Sequence, residues 1–298
     1  MDILVLGGTK FFGRHVVLTL LEAGHTVTVA TRGQTSDDFG DRVRRLHVDR
    51  QDARALRAAL QGRDFDVVYD QLCFTPREAR DLLEILAGHA GRYCLTSSGS
   101  VYEGQEGLLT EDDFDPWAYA VDLEAATYTY AEGKRQAEAY AFQRAEMPVV
   151  AARVTFVISG TDDYTGRFDF QVRHVADNLS LGVWPDDFET CFVTAWDAGR
   201  FLAFAGTATT ETGPVNVANP GYLSARALAL FIGRHLHRTP RFHATYEGDP
   251  DRSPYAVPAT LCLNVERAHA WGFRFPPLEP QLPAMIDAVI ARTGVSPA

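Results

Sequence analysis

"LGGTKFFGR", residues 6–14, closes a run of apolar residues, Ile3 to Leu6, at the start of the chain. A turn that holds a dinucleotide divides its work among three glycines. One permits the tight bend, one lets a pyrophosphate approach the backbone, and one lets the following helix pack on the strand. Gly7 and Gly13 keep the outer two positions, and Lys10 stands where the middle glycine is usual. With the turn running Gly7-Gly8-Thr9-Lys10-Phe11-Phe12-Gly13, backbone N–H groups still face the phosphates at a helix N-terminus, and Lys10 adds a cation. Glycine-rich turns also end many ordinary strands. This one follows a first strand and opens a helix, which is the context the mechanism requires.

Outward from this turn, short apolar runs alternate with helical patterns. Ile3 to Leu6, Thr26 to Ala30, Val43 to Val48, Phe65 to Tyr69, Tyr93 to Thr96 and Val149 to Val154 read as strands, several of them apolar throughout, as strands buried on both faces are. Phe12, Val16, Val17, Leu20 and Leu21 recur at helical spacing up to Gly24, and 53–60 and 77–86 are further helices. Strand and helix in alternation predict an α/β fold of Rossmann type, a doubly wound parallel sheet with ligands outside the carboxyl ends of its strands. After about residue 158 the rhythm changes, with Gly, Pro and aromatic residues at irregular spacing. The expected division is a dinucleotide-binding domain over 1–158, returning at about 191–220, and a smaller, partly discontinuous α/β substrate domain over 159–190 and 221–298. In these later parts 198–205, 224–236 and 264–273 read as helices and 214–219 as the returning strand.

A chain of 298 residues with 46% hydrophobic content can bury a large core. Lys and Arg number 28 against 39 Asp and Glu, and the charge of −11 repels nucleic acid and anionic membranes, so any bound anion needs a local site. The only dense basic stretch is Arg42-Val43-Arg44-Arg45. No run reaches about 18 apolar residues and no basic leader precedes the first strand, so a soluble, cytoplasmic protein is expected, with a homo-oligomer left open. Cys73, Cys94, Cys191 and Cys262 form no Cys-x-x-Cys pair and read as reduced core thiols. The histidines are scattered, and His235 and His237 would point to different faces of a helix, so no metal is expected.

The end of the second strand discriminates between cofactors, because a carboxylate there binds the ribose 2′-hydroxyl of NAD whereas an arginine accommodates the 2′-phosphate of NADP. The residues are Ala30-Thr31-Arg32-Gly33. Arg32 and Lys10 could bracket a phosphate, which favours NADP, with NAD as the alternative. Asp49, after the third strand, could accept from the adenine amino group, and aspartate is also a common turn residue.

"TSSGSVY", 96–102, and "YAEGKRQAE", 130–138, complete a pattern. With the Gly-rich turn they make the chain resemble the extended short-chain dehydrogenase/reductase superfamily, in its NAD(P)-dependent epimerase/dehydratase branch. "GGTKFFG", "VVYD", "DYTGRFDF" and "FVTAWDAGRFL" are most similar to an atypical group related to chloroplast stem-loop binding proteins. "NVERAHAWGF" is similar to the family's last helix. The resemblance implies Ser98, Tyr130 and Lys134 as catalytic residues, the last two also touching the cofactor. The chemistry agrees with that implication. Tyr130 and Lys134 stand four apart on one helix face, so an ammonium can sit beside a phenol. Phenols ordinarily ionise near ~10, and a neighbouring cation makes them usable acids and bases nearer neutrality. Ser98, in the loop after the fifth strand, could hydrogen-bond and polarise a substrate oxygen. Each also has an ordinary role open to it: a capping hydroxyl, a core aromatic, a solvated helix charge.

Asp70-Gln71 stands where the branch has small residues beside the cofactor, so polar contacts near the nicotinamide ribose or diphosphate are expected to differ. In the second part Arg167, Arg173, His174 and Arg252 could bind an acidic or phosphorylated small molecule, a nucleotide sugar included, and surface or ion-pair roles are equally open to them. The expected function is hydride transfer between NADP(H) and a secondary alcohol or ketone, as a reductase. A nucleotide-sugar epimerase or dehydratase is the alternative within the same chemistry, and a non-catalytic NADP-sensing or RNA-binding protein is the alternative outside it.

Overall fold

The computed structural model of the chain describes residues 1–294, so the last four residues of the segment 221–298 lie outside the described residues. Strand β1 (Asp2–Leu6) runs through the Gly-rich turn into α1 (Phe11–Glu22). There follow β2 (Thr26–Thr31), β3 (Val43–His47), α2 (Ala53–Leu60), β4 (Val67–Asp70), α3 (Pro76–Leu86), β5 (Tyr93–Ser98), β6 (Gly107–Leu109), α4 (Tyr130–Arg144) and β7 (Val149–Val154). The remainder holds β8 (Phe156–Ile158), α5 (Arg167–Ala176), β9 (Ser180–Val183), β10 (Glu189–Thr194), α6 (Ala195–Thr207), β11 (Gly213–Val217) and β12 (Asn219–Ser224). It ends with α7 (Ala225–Leu236), β13 (Arg241–Ala244), β14 (Leu261–Leu263), α8 (Glu266–Ala270) and α9 (Leu282–Thr293).

The large sheet has seven strands in the order β11-β7-β5-β4-β1-β2-β3, and every neighbouring pair is parallel. From β1 the chain builds outward through β2 and β3, then returns to β1's other edge and builds outward through β4, β5 and β7. The reversal falls between β1 and β4, and a ligand crevice is expected outside the carboxyl ends of those two strands. The Gly-rich turn lies at that point.

Alternate residues of β1 explain why the strand is apolar throughout. Ile3 and Val5 join one core with α1 and α6, whereas Leu4 and Leu6 join another with α2, α3 and α4. Both faces are covered, so no polar alternation survives. α6 lies close on α1 because Gly199 has no side chain: a Cβ there would stand 2.4 Å from His15 Cβ.

The second group of strands runs β12-β10-β14-β6, with β8 beside β10, and β13 pairs with β9. Its core joins Phe168 and Val172 of α5, Leu228 and Ile232 of α7, and Ile286 and Val289 of α9. The segment 191–220 gives α6 and β11 to the large sheet, whereas β10 belongs to the second group. Residues 264–273 shorten to the five-residue α8, and α9 follows it as a later helix that the sequence pattern did not reveal. Among the described residues no helix is long and apolar enough to cross a membrane.

Candidate active site

Gly7 and Gly8 have φ of 94° and 93°, a region that side chains rarely adopt, and a Cβ on Gly8 would also stand 2.9 Å from Val17 Cγ2. Lys10 differs: its φ of −137° and ψ of 156° are extended, so the middle position asks for no glycine, and the lysine side chain is exposed. Phe11 is buried and meets Tyr164 edge-on at 5.7 Å, and Phe12 packs against the α1 side of the core. At Gly13 a Cβ would stand 3.1 Å from Gly8 Cα and would displace the Gln71 side-chain amide, so the glycine keeps the start of α1 close on the turn.

This cradle fits a dinucleotide. The other helices of eight residues or more that pack on the large sheet are capped by side chains: α2 by Asp52, α3 by Thr75, α4 by Thr129 and α6 by Thr194. α1 has no side-chain cap and no acidic residue in its first turn, which leaves its leading N–H groups open to a bound anion. Gln71 Nε2 and Thr96 Oγ1 are buried without a partner among the described residues, one just past β4 and one near the end of β5. Both can serve a polar ligand laid across those strand ends.

Asp70 corrects an expectation. It is fully buried and accepts from Arg50 Nη2 at 2.6 Å, from Tyr93 Oη at 3.0 Å and from Leu72 N at 3.1 Å. Its carboxylate ties β4 to Arg50 and Tyr93 and offers nothing to a cofactor; Gln71 alone remains from the pair. Asp49 is exposed, with one carboxylate oxygen accepting from Gln51 N at 3.0 Å, the turn role open to it, and the other oxygen free. Arg32 is exposed and makes no ion pair among the described residues. The carboxylates of the loop beyond it are engaged, Asp37 by Arg45 at 2.6 Å and Asp38 by Arg14, whose guanidinium bond holds the Asp38 carboxyl below the usual range.

Ser98 is the last residue of β5 rather than a loop residue, and its Oγ accepts from Ser100 N at 3.1 Å. Tyr130 opens α4; the residue is 57% exposed and its hydroxyl makes no hydrogen bond among the described residues. Lys134, one turn later, is buried. Its ammonium donates to Thr96 O of β5 and to Cys73 O beyond β4, both at 2.8 Å, and stands 4.5 Å from the Phe74 ring centroid and 5.9 Å from that of Tyr130. Three ammonium protons against two carbonyls leave one donor for a ligand. The structure therefore brings Tyr130, Lys134 and the end of β5 to the carboxyl edge of the sheet.

Sequence reasoning missed what lies beneath. Glu138, a further turn along α4, accepts from Ser97 Oγ at 2.6 Å and pairs with Arg153, both charges being fully buried. Arg153 also donates to Tyr102 Oη at 2.8 Å. The Ser97–Tyr102 segment that carries Ser98 is thus held at both ends. The signal was present as Tyr130, Lys134 and Glu138 at i, i+4 and i+8.

In the second region Arg167 is exposed over the Phe156 ring at 5.9 Å, Arg173 is exposed, and His174 is buried, 3.2 Å from Asp251. Arg252 is exposed beside a cavity of about 340 Å³. Among the described residues no group of His, Cys, Asp and Glu could hold a metal ion.

Residues 3–187 match the NAD dependent epimerase/dehydratase family. The chain belongs to that family. It is an enzyme of the extended short-chain dehydrogenase/reductase type. Among curated proteins it is similar to the chloroplast stem-loop binding protein of 41 kDa b of Arabidopsis thaliana, 34% identical over 129 residues, which span 38% of this chain and only 34% of that protein. Among solved structures it is similar to UDP-glucuronic acid 4-epimerase of Bacillus cereus in complex with NAD, at TM-score 0.74 and 17% identity over 98% of this chain and 99% of that one. It is also similar to dTDP-glucose 4,6-dehydratase of Bacillus anthracis in complex with NAD, at 0.76 and 16% over 99% and 98%. These structural likenesses establish the fold.

Proposed function

We propose that this enzyme moves a hydride between NADP(H) and a secondary alcohol or ketone of an anionic small molecule, and that it works as a reductase. One observation carries the reading: an exposed tyrosine whose hydroxyl has no partner among the described residues, at the mouth of a helix pinned by a buried lysine to the end of β5. A bound nicotinamide dinucleotide supplies the hydride donor or acceptor. The N-terminus of α1, Gly7, Gly8 and Lys10 would hold its diphosphate, Gln71 and Lys134 its polar edge, Asp49 the adenine and Arg32 a 2′-phosphate.

Tyr130 gives its proton to the substrate oxygen during reduction and takes it back in the reverse direction. Ser98 donates a hydrogen bond to the same oxygen, which polarises the carbonyl. Lys134 holds a positive charge near the phenol as that proton leaves, and its two carbonyl bonds keep α4 against β5. Arg252, with Arg167, receives the anionic part of the substrate.

A second reading, a nucleotide-sugar epimerase or dehydratase that retains NAD, draws support from the names of the similar solved structures, several of them NAD complexes. Cofactor release separates the two. Protein purified without added dinucleotide, then denatured, yields no stoichiometric NAD if the reductase reading holds, and NADPH is consumed against a panel of ketones. Stoichiometric NAD together with interconversion of UDP-sugars and no net NADPH consumption would replace it by the second reading.

A further inference from the structure

A chain of polar contacts ties the β9–β13 pair to the loop that carries Arg252. Ser180 Oγ of β9 lies 2.9 Å from His243 Nδ1 of β13, and His243 Nε2 lies 2.9 Å from Asp249 Oδ2. Thr245 Oγ1 donates to the same carboxylate oxygen at 2.9 Å, and Asp251 N donates to the other at 3.0 Å. The Asp249 side chain is 2% exposed. Gly182 makes the room: a Cβ there would stand 2.3 Å from Asp249 Oδ2 and 3.1 Å from both His243 Nε2 and Arg252 Cα.

The backbone on either side of Arg252 is fixed by the same glycine, since Gly182 N donates to Asp251 O at 2.8 Å and Ser253 N donates to Gly182 O at 2.9 Å. Ser253 Oγ further donates to Gln171 Oε1 of α5 at 2.7 Å. Arg252 itself makes no ion pair and no side-chain hydrogen bond among the described residues, and it lines the cavity of about 340 Å³ with Asp249, Trp184 and Ser253. A locked backbone that presents a free guanidinium at a cavity is what recognition of an oxyanion needs, because little ordering is left for the ligand to impose.

We propose that Asp249 and His243 are positioning residues that hold Arg252 for a phosphate or diphosphate group of the substrate. The proposal rests on the reading above that the substrate is anionic. His243 is the strut between Ser180 and Asp249, and Asp249 sets the turn from which Arg252 emerges. His243 does not line the cavity, and the Asp249 carboxylate, which does, is nearly buried and taken up by His243, Thr245 and Asp251 N, so loss of either residue should weaken anion binding through Arg252 and leave the dinucleotide cradle, on the other sheet, unaffected.

The test is calorimetric titration of UDP, and separately of inorganic pyrophosphate, into the chain with NADP present. Arg252→Ala, His243→Leu and Asp249→Asn should each weaken binding about 10-fold or more, the effect of one well-placed charge-assisted contact, with NADP affinity unchanged. His243→Gln, whose amide can still donate to Asp249, should recover most of the loss, and His243→Leu added to Arg252→Ala should cost nothing more. Binding at wild-type strength in His243→Leu and Asp249→Asn, with Arg252→Ala weak, would overturn the positioning role and leave the anionic substrate standing. Wild-type binding in Arg252→Ala, or none in the wild type, would overturn both. Should the leucine variant not fold, Asp249→Asn and His243→Gln carry the comparison.

Discussion

Lys134 Nζ donates to Thr96 O at 2.8 Å, two residues before Ser98 on the same strand. One ammonium therefore joins the helix that begins with Tyr130 to the strand that ends with Ser98, and a second bond to Cys73 O joins both to the segment beyond β4. Lys134→Met removes the charge and leaves two buried carbonyls without donors. Hydrogen bonds from charged groups contribute about 1.5–3 kcal/mol each, so a stability loss of about 2–4 kcal/mol is expected in urea unfolding, together with weakened dinucleotide binding. A methionine variant as stable as wild type would show that the bonds only offset desolvation of the ammonium.

Tyr130→Phe should behave in the opposite way. The hydroxyl bonds to nothing among the described residues and the residue is exposed, so unfolding should shift by less than about 0.5 kcal/mol. Turnover should fall about 10²- to 10⁴-fold, the usual contribution of a positioned acid or base. Dinucleotide affinity should hold. Undiminished turnover on a true substrate would remove Tyr130 from the mechanism.

Arg32→Ala should weaken NADP about 10- to 100-fold, the effect of losing one charge-assisted bond to a phosphate, and leave NAD unchanged. Calorimetry with both dinucleotides checks this. The expectation stands on the loop beyond β2, where Arg32 makes no ion pair among the described residues while the nearby carboxylates of Asp37 and Asp38 already face the cations Arg45 and Arg14. Tighter NAD than NADP binding in the wild type would contradict it.

The parallel sheet was legible because its strands are buried on both faces and so read as unbroken apolar runs, and because the turn after β1 carries glycines where φ is positive. The second group of strands was not. β6, β8 and β14 have three residues each, too few to display alternation. α9 begins Leu282-Pro283, and proline at a first turn reads in a sequence as a break as readily as a start. At the site, Tyr130, Lys134 and the Gly-rich turn were legible by spacing, whereas Asp70 was misjudged because its partner Arg50 is far in sequence, beyond any local pattern.

Burial pushes the thiols of Cys73, Cys94 and Cys262 up to about 12 and that of Cys191 up to about 11. All four are free and buried. Thiolate is the reactive form, so at pH 8 the native chain should give no rapid reaction with a disulfide reagent, and four thiols should titrate once urea unfolds it. Rapid native labelling of even one would indicate local opening around its strand.

Glu138 and Arg153 form an ion pair with both side chains fully buried, linking α4 to β7 beneath the segment that carries Ser98. Arg153 is satisfied further by Tyr102 Oη and Glu111 O at 2.8 Å and by Phe114 O at 2.9 Å, while Glu138 also accepts from Ser97. Such a pair adds little net stability over an apolar replacement, but removal of one partner leaves a buried charge uncompensated. Glu138→Leu should therefore lose about 3–5 kcal/mol in urea unfolding, and Glu138→Leu with Arg153→Met should recover a large part of it. Activity should separate from stability in the double variant. Without the pair, Ser97 loses its carboxylate acceptor and Tyr102 keeps only its bond to Asn216 Oδ1, so the position of Ser98 loosens and turnover should stay reduced even where folding is restored. A double variant with wild-type turnover would mean that the strand end is held without the ion pair, by its sheet bonds and the Tyr102–Asn216 contact, and that the pair does not serve the site.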